Sequence, residues 1–341
     1  MLAEDFKQHK IRHLQLDPYG VCNAKCWFCP VRYKVTPEQS KQAMSPELLR
    51  KILKNLIDER SKEDGLVDKK FGSFYTAHYN EILLYPHFEE LLKICREFKL
   101  CFVILSNGIP LTPERVDLIV KYKEVVSGIC LNIPAFDAET WNKRSGINIK
   151  QFDKLISNIN YAIEQLPSKV RNSSFSIIMN GVNQNSLVER GGDITMGSDF
   201  PTDMDLDPIH GEMAVQTSIA RKLFPKLHIT TNVNLLDRAG SIENVLTSQN
   251  YSTKHKKPET IKGNVIGCAN DAHIGGRPAG WLHVNAVGKA FLCCNDYEME
   301  ITFGDFNNQE LKDFWGKDDH QEKIKQLYQT VCSKCSEAIY E

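Results

Sequence analysis

No apolar run in this chain of 341 residues is long enough to cross a bilayer. The first residues, Met1-Leu2-Ala3-Glu4-Asp5-Phe6-Lys7, lack the apolar core of a signal peptide. A charge excess is missing too: 42 Lys and Arg stand against 43 Asp and Glu, a net charge of −1. With no basic surplus, nucleic acid is not an expected partner, and no acidic tail is present. There is no internal repeat and no low-complexity tract. These absences leave a soluble, cytoplasmic protein, with no membrane and no nucleic acid among its expected partners. The length suits one large domain and a smaller one.

What the chain does hold is cysteine, 11 in all, with two closely spaced groups. In a cytosolic protein such spacing argues for metal rather than disulfides, and an odd number would leave one thiol over. The first group is Cys22-Asn23-Ala24-Lys25-Cys26-Trp27-Phe28-Cys29-Pro30, a C-x3-C-x2-C spacing. Thiolates are soft ligands for zinc or for iron–sulfur clusters. A closed zinc site takes four ligands, and here the local count stops at three. A cubane held by three cysteines keeps one iron open, where a small molecule can chelate. A zinc knuckle or three unconnected buried thiols are the alternatives on spacing alone.

The rest of the chain alternates strand and helix. His13 to Asp17 places Leu14 and Leu16 on one side and His13, Gln15 and Asp17 on the other, a first strand running into the cysteine loop. Ser45-Pro46-Glu47 opens a helix with Leu48, Leu49, Ile52, Leu53 and Leu56 on one face. Further strands are expected over Gly72–Ala77, Cys101–Leu105, Gly128–Ile133, Ser174–Met179 and Leu227–Val233. Helices are expected from Pro86-His87-Phe88 onward, from Thr112 to about Lys123, over Lys154–Leu166 and over Gly211–Phe224. Cys95, Cys101 and Cys130 sit in apolar runs and read as buried thiols. The polar segment from Val182 to Pro208 reads as a lid, a binding loop or an insert. Six alternations give an α/β fold, a parallel sheet curled into a partial (β/α)6 TIM-like barrel. Its strand ends share one mouth, where barrel active sites lie.

Beyond a polar, basic linker the pattern changes. Two short strands flank Val287-Gly288 as a hairpin that ends in Cys293-Cys294. Short helices follow, and Cys332-Ser333-Lys334-Cys335 closes the second group, with Cys268 upstream. The expected division is 1–245 for the barrel, 246–262 for the linker, and 263–341 for a small α+β hairpin-and-helix unit that binds a cluster.

The first motif resembles that of the radical S-adenosylmethionine (radical SAM) enzymes, C-x3-C-x-aromatic-C, with Phe28 in the aromatic slot. The resemblance implies a 4Fe–4S cluster on Cys22, Cys26 and Cys29, with SAM on the open iron. It implies an electron donor such as flavodoxin or ferredoxin, reductive cleavage of SAM, and a 5′-deoxyadenosyl radical that takes a hydrogen atom from substrate. His78-Tyr79-Asn80-Glu81 is similar, in part, to the family's Gly-Gly-Glu element. Ser106-Asn107-Gly108 resembles its T/S-N-G, and Asn234 to Gly240 its N-R-A-G. Around SAM the resemblance therefore places Phe28, Asn80, Glu81, Ser106, Asn107, Asn132, Arg144 and Arg238. Glu81 would accept from SAM's amine, or be a solvated loop residue. Arg238 would pair with a carboxylate of SAM or substrate, or form a structural salt bridge. The C-terminal pattern resembles the SPASM and twitch extensions, which implies a second 4Fe–4S cluster on Cys268, Cys293, Cys332 and Cys335. Cys293 and Cys294 are exchangeable here, and a zinc ribbon on the same cysteines is the alternative.

Such an enzyme would oxidise or dehydrogenate, or form a bond in, a small molecule or a peptide. A redox-neutral epimerase or mutase is one alternative, and a zinc-binding structural protein another. The chain starts almost directly at the first barrel strand, which favours a small molecule, or a peptide whose leader is held by a separate protein.

Overall fold

The computed structural model describes residues 9–76, 78–167, 175–180, 208–232, 238–242, 263–270, 276–335 and 337–341. The expected polar segment 182–208, except Pro208, and the linker 246–262 lie outside these residues, as do Ala77 and Asn234–Asp237.

Strand β1 (His13–Leu16) follows the alternation of its sequence: Leu14 and Leu16 are fully buried in the main core, while Gln15 lines the central cavity. The chain then loops back into helix α1 (Pro46–Ser61). Ser45 caps it by accepting from the Leu48 N–H at 3.2 Å, and Pro46 occupies the first helical position, where no N–H is needed. Leu49, Ile52, Leu53 and Leu56 recur every three or four residues and bury one face.

The same alternation continues through β2 (Ser73–Tyr75), α2 (Phe88–Phe98), β3 (Cys101–Ser106), α3 (Pro113–Lys121), β4 (Val126–Asn132), α4 (Ala138–Ser145), α5 (Phe152–Gln165), β5 (Phe175–Asn180), α6 (Pro208–Leu223) and β6 (His228–Asn232). Each strand from β1 to β6 pairs in parallel with the next. This is the expected partial barrel. Cys95 and Cys130 are buried as expected, Cys130 also lining the central cavity, but Cys101 is only half-buried.

The hairpin of β8 (Trp281–Val284) and β9 (Lys289–Phe291) does not stand apart from the barrel. β8 pairs in parallel with β1, from His13↔Trp281 to Leu16↔Val284. With β10 (Thr302–Asp305) it completes one nine-stranded sheet in the order β10-β9-β8-β1-β2-β3-β4-β5-β6. An edge strand offers unpaired backbone groups, and the hairpin covers the β1 edge. The sequence does not signal two further strands. β7 (Val265–Cys268) and β11 (Ala338–Tyr340) form a separate antiparallel pair, with Ala338 opposite Cys268. Between them lie short α7 (Arg277–Gly280), α8 (Leu311–Phe314) and α9 (Asp318–Gln329).

Candidate active site

The cysteine loop leaves β1 and is held by backbone and side chains; Tyr33 Oη donates to the Trp27 carbonyl at 2.7 Å. Lys25 and Trp27 N–H groups donate to the carbonyls of Ser145 and Arg144, at 2.8 and 2.9 Å. These carbonyls end α4, so the Arg144-Ser145-Gly146 stretch grips the loop from behind. Gly146 has φ +68, and a Cβ there would stand 2.9 Å from the Lys25 carbonyl oxygen. Only glycine fits both the turn and the approach. Beneath the loop, Trp27 and Phe28 meet edge-to-face at 5.8 Å and pack with Ile242 against Cys26 and Cys29. The aromatic slot is thus an apolar floor for the thiols.

Glu81 comes next. Its N–H donates to the Val21 carbonyl at 3.0 Å, tying it to the cysteine loop. Its carboxylate accepts from Leu83 N–H at 3.2 Å, from Ser106 Oγ at 3.1 Å and from Asn107 N–H at 2.7 Å. It is 1% exposed, so it is not a solvated loop residue. Burial pushes its pKa up to about 7, against the pull of those three donors. Three of about four lone-pair directions are occupied. Glu81 therefore braces the β2 and β3 loops against each other, with one direction left for a ligand. Asn107 Nδ2 reaches back to Asn23 Oδ1 at 2.7 Å.

One cavity of about 350 Å³ gathers these groups. Its lining includes Cys22, Cys26, Phe28, Cys29, Asn80, Glu81, Ser106, Asn107, Asn132 and Arg238, all expected from the sequence. That volume lies in the range of small-ligand sites. Asn132 offers a buried Oδ1 with no hydrogen-bond partner among the described residues. Asn80 Nδ2 donates to Asp17 Oδ1. The Arg238 guanidinium lies over the Tyr79 ring at 5.8 Å. Arg238 and Ala239 take φ values of +54 and +52. A non-glycine residue there costs about 1–3 kcal/mol, and such strain collects at functional sites.

Arg144 does not reach this cavity. It is absent from the lining, and its Nη1 donates to the Pro134 carbonyl at 3.4 Å. Its contribution to the loop is its carbonyl. Conversely, Gln15, His78, Tyr79, Cys130, Arg277 and Cys294 line the cavity, although the sequence places none of them around SAM. For Gln15 the strand alternation carried the signal. Nothing local marks Arg277.

The second group gathers elsewhere. Cys268, Cys293, Cys332 and Cys335 line one small closed cavity, each 6–8% exposed. Cys294 is not there; it lines the first cavity. Consecutive residues thus face two sites. His78 Nε2 and Tyr79 Oη sit 2.9 and 2.8 Å from the Cys294 carbonyl oxygen, which fixes this junction.

Both donor sets fit iron–sulfur clusters. Backbone N–H groups point at sulfur: Ala24 at Cys22 (3.4 Å), Asn295 at Cys293 (3.4 Å) and Glu337 at Cys335 (3.5 Å). Such bonds favour thiolates. Burial pushes Cys22 up to about 12, with Glu81 and Cys29 adding repulsion, and holds Cys26 and Cys332 well above the thiol range. Buried thiols of this kind ionise only when a cation compensates them. Among the described residues no three His, Cys, Asp or Glu side chains converge on a single-ion position.

The family model described as "Radical SAM superfamily" matches residues 16–190. The chain belongs to the radical SAM superfamily. A second model, "Iron-sulfur cluster-binding domain" (SPASM), matches residues 276–336. The family brings SAM and a 4Fe–4S cluster, and the SPASM match brings auxiliary iron–sulfur binding. No curated protein matches the sequence. Among solved structures, Streptococcus suis SuiB bound to precursor peptide SuiA is similar at a TM-score of 0.57 and 15% identity, over 96% of this chain and 70% of that one. Native anSMEcpe with bound AdoMet gives 0.53 and 14%, over 95% and 86%. BtrN in complex with AdoMet and 2-DOIA gives 0.53 and 14%, over 95% and 92%. At these identities the likeness concerns the fold. No helix among the described residues is long and apolar enough to cross a membrane.

Proposed function

We propose that this radical SAM enzyme oxidises a small molecule or a peptide, by dehydrogenation or by forming a bond. When bound, the first cluster supplies the electron that cleaves SAM, and the second an acceptor for the electron left on the substrate. The observation that carries this reading is the junction of the two cavities. Cys293 faces one and its neighbour Cys294 the other, and Arg277 lines both. An acceptor held by Cys268, Cys293, Cys332 and Cys335 would therefore lie one residue away from the reaction cavity. A unit over 263–341 serves as the auxiliary half, after a linker at 246–262.

The chain's own groups divide the remaining work. Cys22, Cys26 and Cys29 hold the first cluster over the floor of Trp27, Phe28 and Ile242, which excludes water. Asn80, Glu81, Ser106, Asn107, Asn132 and Arg238 bind SAM, with Arg238 on a carboxylate and the open Oδ1 of Asn132 on a hydroxyl. Electrons come from a donor such as flavodoxin or ferredoxin. SuiB and anSMEcpe have been captured with peptides and BtrN with 2-DOIA; this chain takes a substrate from one of those two classes.

The test is anaerobic incubation of reconstituted enzyme with SAM, a reductant and cell extract. 5′-Deoxyadenosine should accumulate together with a metabolite or peptide lighter by two hydrogens. A product of unchanged mass would support the redox-neutral reading instead.

A further inference from the structure

One cation stands between the two cavities. Arg277 opens the short helix α7, directly after Gly276, and lines both the reaction cavity and the cavity of the four cysteines. Gly276 explains how Arg277 comes so close. Its φ is +86, and a Cβ there would lie 2.8 Å from Cβ of Cys268. The guanidinium is fixed from the other side by the Trp281 ring, 4.1 Å from its centroid. That is a cation–π contact, and Trp281 is itself anchored in the sheet beside His13. Arg277 thus has a defined position and is not a solvated surface charge.

A second charge faces the cysteine cavity. Glu337 is 6% exposed, lines that cavity, and has an Oε1 with no hydrogen-bond partner among the described residues. Its backbone is held on both sides: the N–H donates to Cys335 Sγ, and the carbonyl accepts from Ala269 N–H at 2.7 Å. The cavity therefore has a positive side, on the wall shared with the reaction cavity, and a negative side on the C-terminal segment.

Adding an electron to an iron–sulfur cluster makes it more negative. A fixed cation nearby favours the reduced form, and a fixed anion favours the oxidised form. In a dry interior such charges act strongly, and net charge and hydrogen bonding are among the levers that set cluster potentials. We propose that Arg277 is a positioning residue that raises the reduction potential of the second cluster, with Glu337 as its opposing charge. Set on the shared wall, Arg277 eases the arrival of an electron from the reaction cavity. The inference rests on the reading that the four cysteines hold that cluster.

The test uses the full-length Cys22→Ala/Cys26→Ala/Cys29→Ala protein, reconstituted with iron and sulfide, which isolates the second site. Its cluster is titrated spectroelectrochemically without substrate. Arg277→Met keeps the stem on Trp281 and removes the charge. At the parent's midpoint its reduced-to-oxidised ratio should fall roughly ten-fold, about 59 mV for a one-electron couple. Arg277→Lys, which keeps the charge, should stay near the parent, and Glu337→Gln should shift the other way. Shifts of opposite sign do not arise from general loosening. Equal midpoints in all four proteins would overturn the inference while leaving the cluster assignment standing. So would loss of iron from both Arg277 variants, which would make Arg277 a structural residue. A parent protein that binds no iron would overturn the assignment and the inference together.

Discussion

The two cysteine sites are built in opposite ways. The first takes three thiols from one short loop and stands at the mouth of the barrel, half-buried and open to a cavity of about 350 Å³. The second takes four thiols from three segments far apart in the chain, and buries all of them. The loop costs little entropy to close, since its ends are near in sequence. The second site must close long loops, and the backbone does it: β7 and β11 bring Cys268 and Cys335 together, and β8–β9 delivers Cys293. A three-ligand site left open suits ligand chemistry. A four-ligand site sealed from solvent suits electron storage or structure.

The largest break in this comparison should come from Cys26→Ala. It should abolish 5′-deoxyadenosine formation with dithionite, whereas Cys332→Ala, if folded, should retain some. Equal cleavage by Cys26→Ala and wild type would end the assignment of the open site. Next, Cys293→Ala should lower iron content, while Cys294→Ala should leave it near the wild-type value. The reverse order would mean that the neighbours exchange roles.

Glu81 gives a pH signature. Its folded pKa of about 7 lies above that of an unfolded glutamate, so the folded state holds the proton more tightly. This site therefore makes folding most favourable below the unfolded value. That contribution, roughly 3 kcal/mol by pKa linkage, is lost as pH rises toward 7. Thermal midpoints should fall from pH 5.5 to 7 and then level off, and Glu81→Gln should flatten the trend. The amide also turns one acceptor into a donor facing Ser106 or Asn107, which should cost about 1–3 kcal/mol. SAM affinity lost with stability untouched would instead favour a purely ligand-binding Glu81. The smallest effect belongs to Gly146→Ala. Strain at φ +68 should cost about 1–3 kcal/mol and disturb the first site's spectrum alone.

Much of the barrel was legible because its chemistry is local. The alternation at Leu14, Gln15 and Leu16, the Ser45-Pro46 cap and the C-x3-C-x2-C spacing each act over a few residues. Glu81 was found by its place after β2, but its use was not. Three donors from two loops meet only once the sheet has formed. Arg144 shows the converse: its motif was visible, yet its carbonyl does the holding. The β1–β8 pairing, β7, β11 and the place of Arg277 depend on contacts between distant segments, and short strands carry little periodicity of their own. Cys293 and Cys294 could not be told apart in sequence because they lie in a turn just past β9, where no periodicity says which side chain faces which cavity.

Iron counting in the Cys22→Ala/Cys26→Ala/Cys29→Ala protein tests the two-site account most directly. Wild type should carry about eight irons per chain, two 4Fe–4S clusters, and the variant about four with its cluster spectrum retained. Loss of all iron, or of none, would contradict two independent sites.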